Sequence, residues 1–93
     1  MRKIKLIKVS DNTPGGNNNG VQVGYEVEGL MPQKPTIGTP FNMVKEKEYL
    51  GKPAIMPVFY TASVVSELDE NNEFRSNYST YKIEYLDGKE GNN

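Results

Sequence analysis

Residues 58–86, VFYTASVVSELDENNEFRSNYSTYKIEYL, hold two runs of alternating apolar and polar residues on either side of a polar turn, the period of a half-buried β-hairpin. A slip of one residue would exchange the buried and solvent faces, so the pattern also selects a register. Opposing Leu68 with Phe74 across a five-residue loop at 69–73 places Val64 opposite Tyr78 and Ser66 opposite Ser76 on the same face. It leaves Glu67 facing Arg75 outside, an attractive cross-strand pair worth about 0.2–1 kcal/mol. Beyond Tyr78, the residues Tyr81, Ile83 and Tyr85 alternate with Lys82 and Glu84, so the inward parity passes from even to odd. That change predicts a bulge or sharp bend within 77–80, the device by which small sheets curl toward closure.

The first run, RKIKLIKV at 2–9, alternates with Ile4 and Leu6 on one side and then shifts to Ile7 and Val9, which predicts a bulge near Leu6 and Ile7 or burial of both faces. Residues 10–20, SDNTPGGNNNG, contain no apolar side chain and collect the residues that suit turns, so they are expected to form a mobile surface loop. VQVGYEVE at 21–28 reads as a strand with Val21, Val23, Tyr25 and Val27 inward. Three of the six prolines fall within 29–40, which predicts an irregular crossing or an edge. Residues 41–50, FNMVKEKEYL, fit either a strand or a helix; the Lys-Glu alternation at 45–48 resembles a charged edge and favours the strand. Gly51, Lys52 and Pro53 are expected to break it, and Pro57 to precede the hairpin strand.

Ninety-three residues make one small domain, which buries only about 60–65% of its extended-chain surface. Two alanines and five leucines against eight valines and nine Phe and Tyr favour strands over helices. The expected fold is all-β: five or six short strands in one strongly bent antiparallel sheet closing into an SH3-like or OB-like barrel over residues 1–86, with 87–93 a disordered polar tail. No stretch is long and apolar enough for a signal-peptide core or a membrane span, so a cytoplasmic protein without membrane partners is expected.

Histidine and cysteine are both absent, which removes the usual neutral-pH base, the thiol nucleophile and the common zinc ligands. Glu67, Asp69, Glu70 and Glu73 are read as a solvated hairpin tip, and PGGNNNG lacks the Lys-Ser/Thr of a phosphate loop. No catalytic residue, metal ligand or cofactor is expected. With a net charge of −1, the chain has no field that would drive it onto nucleic acid. Local candidates for a macromolecular contact are Arg2, Lys3 and Lys5 on the first strand, and Arg75, Tyr78 and Lys82 on the hairpin.

The segments PTIGTPFNM, YTASVVSEL and FRSNYSTYKIEYL resemble those of small uncharacterised β-rich proteins encoded by bacteriophages and related mobile elements, over about residues 29–86. The resemblance implies origin and fold and carries no active-site residue. The expected function is that of a non-enzymatic module offering an edge strand and loop tips to a protein partner. The alternative is weak single-stranded nucleic-acid binding through the basic first strand and exposed tyrosines.

Overall fold

The computed structural model describes residues 1–12 and 21–87. Six strands, β1 (Arg2–Asp11), β2 (Glu26–Met31), β3 (Pro40–Tyr49), β4 (Lys52–Ser66), β5 (Glu73–Ser76) and β6 (Ser79–Tyr85), each pair antiparallel with the next, and β6 returns to β1 to close a barrel. The small all-β barrel expected from the sequence is therefore what forms, with up-and-down connectivity throughout. Its interior is filled by Ile4, Leu6, Met31, Phe41, Met43, Val64, Phe74, Tyr81 and Ile83. Rings do much of the filling: Phe41, Phe74, Tyr81 and Phe59 form a continuous chain with successive centroids 5.0, 5.6 and 6.1 Å apart, and the exposed Tyr25 ring lies 5.7 Å from Phe59.

The parity of β1 differs from expectation. Its inward set stays even, Ile4, Leu6 and then Lys8, because the bulge against β6 falls between Lys8 and Ser10 rather than near Leu6 and Ile7. Lys8 is consequently 1% exposed. Its Nζ donates to the Val21 carbonyl at 2.6 Å and meets Asp11 Oδ1 at 2.6 Å, so the buried cation is both paired and hydrogen-bonded. Ser10 and Asp11 belong to β1 rather than to the Asn/Gly loop, of which residues 13–20 lie outside the described residues.

Residues 21–25 form a turn, not the start of a strand. Gly24 adopts φ +96°, and backbone bonds from Lys8 N to Tyr25 O (2.9 Å) and from Gly24 N to Lys8 O (2.8 Å) hold the turn against β1. Val23 and Tyr25 are exposed, and of the expected inward set only Val27 packs on the core. Residues 32–39 form the expected irregular crossing, tied to Val64 through Gly38 N and Thr39 O. Next to it, β2 meets β3 at a single pair, Leu30 with Val44, where a Cβ on Gly29 would stand 2.9 Å from the Val44 carbonyl oxygen.

The hairpin that dominates the sequence is present, with a shifted register. Leu68 and Phe74 both pack on the core as expected, but a bulge at Val65 opposes Ser66 with Arg75 and Val64 with Ser76. The loop is closed by Asp69, whose carboxylate accepts from Asn71 N (2.8 Å) and Glu73 N (3.0 Å), while Asn72 takes φ +61°. The bend expected within 77–80 is a full reversal: β5 and β6 are separate strands joined at Asn77 and Tyr78, with Phe74 opposite Tyr81. Tyr81 and Ile83 are buried, in agreement with the odd parity.

Residues 41–50 choose the strand, and the predicted break at 51–53 is instead the tip of a long hairpin. Leu50 and Gly51, at φ +53° and +81°, make a two-residue turn, and β4 continues through Pro53 and Pro57. Residues 45–49 and 52–56 pair with each other beyond the last contact with β2, so they form an arm standing out from the barrel.

Replacing Lys8 by alanine strands Asp11 and the Val21 carbonyl. Because Asp11 keeps some access to solvent, the expected loss is about 2–3 kcal/mol, measured as a lower urea midpoint. Gly29→Ala forces the β2–β3 contact apart and should cost about 1–3 kcal/mol; an unchanged midpoint would mean the seam yields without strain.

Candidate functional site

A fifteen-residue β4 runs beside a four-residue β5, and their pairing is confined to Val64 and Ser66. Residues 57–62 of β4 therefore have no strand on the side away from β3. The strip beside them opens as a groove of about 610 Å³, bounded by β4 on one side and by Ser76, Tyr78, Ser79 and Tyr81 on the other, with Val21 at one end. This volume lies within the range of sites that take small ligands or a few peptide residues.

The walls are apolar and aromatic. Phe59 and Tyr81, in mutual edge contact, belong to the core, whereas Tyr60 and Tyr78 stand at the rims with 70% and 52% of their surface exposed. The Tyr78 side is held by Asn12, whose backbone N–H donates to Tyr78 O (2.8 Å) and whose side chain donates to Ser76 O (3.1 Å) and accepts from Thr80 Oγ1 (2.7 Å). Ser76 Oγ donates to Ser79 O and accepts from Ser79 N, both at 3.2 Å. The hydroxyl of Ser79 is buried with no hydrogen-bond partner. A buried hydroxyl left in this state costs free energy. Lys8 contributes from behind, since its ammonium holds the carbonyl of Val21 at the end of the groove.

The residues singled out in the sequence are not gathered at one place. Tyr78 lines the groove. Arg2 forms a fork with Asp87 (2.9 and 3.0 Å) and lies 4.5 Å over the Tyr85 ring, sealing the β1–β6 seam. Asp87, grouped by composition with the polar tail, is thereby part of the barrel; residues 88–93 lie outside the described residues. Lys3, Lys5, Lys82 and Arg75 share the outer face of β1, β6 and β5, but acids are interleaved among them: Lys5 is opposite Glu28 and Glu84 and 3.5 Å from Glu26, and Lys82 is opposite Glu73. Carboxylates thus face Lys5 and Lys82, whereas Lys3 and Arg75 lie opposite uncharged residues. Among the described residues no three acidic side chains gather as a metal site, and no helix is long and apolar enough to cross a membrane.

Sequence reasoning missed the groove because Pro53 and Pro57 read as strand breakers. Their spacing carried the missing signal. Tyr49 and Lys52 flank the two-residue turn as a hydrogen-bonded pair, so strict alternation puts Pro53, Ile55 and Pro57 at positions whose N–H would face away from β3. A proline is tolerated at such positions, so two of them four residues apart are compatible with one long edge strand.

Comparison with known proteins finds no matching family model and no match among curated proteins or solved structures.

The Arg2 guanidinium holds the Asp87 carboxyl below its usual range, with a smaller contribution from the Lys3 N–H, against the opposing effect of desolvation. A carboxyl depressed in the folded state stabilises the fold fully above its unfolded value of about 3.9 and loses that contribution as pH falls through the lower folded value. Thermal melts from neutral to acid pH should show wild type more stable than Asp87→Asn at neutrality, with the difference shrinking as the carboxyl is protonated in acid. A difference independent of pH would assign the effect to packing.

Proposed function

We propose that the protein is a non-enzymatic binding module that takes an extended peptide segment of a partner protein in the groove between β4 and the β5–β6 turn. The carrying observation is the unpaired stretch at 57–62 bordering an apolar trough with a tyrosine at each rim. An extended chain lying there could bond to backbone groups of 57–62 that face away from β3, while its alternate side chains enter the trough. Rim tyrosines suit this work because they offer large, rigid, amphipathic surface at little entropic cost. The resemblance to phage-encoded β proteins is in keeping with an accessory protein of phage or mobile-element origin. The charge-interleaved face of β1 and β6 supports this reading over single-stranded nucleic acid, since a cation already facing a carboxylate releases little on meeting a phosphate.

The test is selection of random dodecapeptides against the immobilised protein, followed by mapping of the enriched sequences on its amide NMR spectrum. Shifts should concentrate at 57–62 and 76–81, and Tyr78→Ala should weaken binding about tenfold, the loss typical of an interface anchor. Affinity should change little with salt. Shifts on the outer face of β1 and β6, or an oligodeoxythymidylate binding with a steep salt slope, would overturn the proposal in favour of nucleic acid.

A further inference from the structure

The arm formed by 45–49 and 52–56 carries its charges in an uncommon distribution. Directly paired residues in an antiparallel ribbon point to the same face. Lys45 with Met56, Lys47 with Ala54, and Tyr49 with Lys52 therefore make one face, and Glu46 with Ile55 and Glu48 with Pro53 the other. One face holds three lysines and no acid; the opposite face holds two glutamates and no base. None of these five charges takes part in an ion pair within the described chain. On both faces the charges of β3 run beside apolar groups of β4. At the tip, Leu50 is 84% exposed and held at φ +53°, a conformation that costs a branched side chain free energy and is usually given to Asn or Gly.

We infer that the arm is a self-association element, its lysine face stacking on the glutamate face of a second copy. Laid face to face in the same direction, Lys45 and Lys47 of one arm meet Glu46 and Glu48 of the next, while Met56 and Ala54 meet Ile55 and Pro53. Charge thus covers charge and apolar surface covers apolar surface. A two-fold dimer through either face would set lysine on lysine or glutamate on glutamate, so the contact must be head-to-tail. Edge pairing is also disfavoured, because β3 edges joined across a two-fold axis oppose like charges, and β4 lacks donors at Pro53 and Pro57. Stacked sheets lie about 10 Å apart, whereas the molecule is 24 Å across in its thinnest direction. Successive barrels must therefore fan outward around converging arms, which gives a ring where the rotation between copies closes and an open stack where it does not. Each contact is small and partly ionic, so assembly should be weak and sensitive to salt.

The experiment is native mass spectrometry together with sedimentation velocity, at protein concentrations up to about 1 mM, the weak end of specific association. Wild type should form species larger than a dimer that dissociate as salt rises. Lys45→Glu/Lys47→Glu and Glu46→Lys/Glu48→Lys should each be monomeric, and their equimolar mixture should assemble again. The chain with all four reversals keeps the composition and net charge and has faces that are still complementary, so it should assemble like wild type. A wild type that stays monomeric throughout, or single-sign arms that assemble undiminished, would overturn the inference. So would a four-fold reversal that folds by circular dichroism and remains monomeric.

Discussion

Strand length is the constraint from which the rest of this molecule follows. A closed barrel removes exposed edges only where neighbouring strands match in length. Here β4 outruns β5 at one end and outruns the β2–β3 contact at the other. The first mismatch leaves the groove and the second leaves the arm, so β4 contributes to both candidate surfaces, sharing the arm with β3. The remaining strands act as a frame that holds β4 in place.

Rings span the frame where aliphatic residues are few. The chain from Phe41 through Phe74 and Tyr81 to Phe59 crosses the interior and reaches the groove, so the aromatic floor of the site and the core are one packing unit. Lys8 closes the adjoining end in a different way. Its stem fills apolar space, and its ammonium donates to the Val21 carbonyl and pairs in charge with Asp11, tying β1 to the groove. A buried cation adds little stability compared with an apolar residue of equal volume, but it fixes which backbone groups may approach.

The parts legible in the sequence were those where one face is buried along a whole segment. The alternation of Tyr81 and Ile83, the joint burial of Leu68 and Phe74, and the all-β closure all rest on that periodicity. What failed were features decided by a single tertiary contact. Val9 was read as inward because valine is apolar, yet the bulge after Lys8 sent the lysine inside, where Asp11 and a distant carbonyl could receive it. Val23 and Tyr25 had a strand's pattern but sit in a turn, because Gly24 permits a positive φ and Lys8 supplies both backbone partners. Of the candidate site residues only Tyr78 reached the groove; the cations were chosen by charge alone, and cross-strand carboxylates cannot be seen until the register is known.

Pro53 and Pro57 have a consequence for how the protein survives at high concentration. A bare ribbon carrying Ile55, Met56 and Tyr49 in water has the composition of a seed for cross-β growth, in which each incoming strand copies the one before it. Copying needs a donor at every second residue of the border strand, and here two of three consecutive donors have been replaced by pyrrolidine rings. The arm can thus keep sticky side chains on display while its β4 border refuses to serve as a template for fibrils.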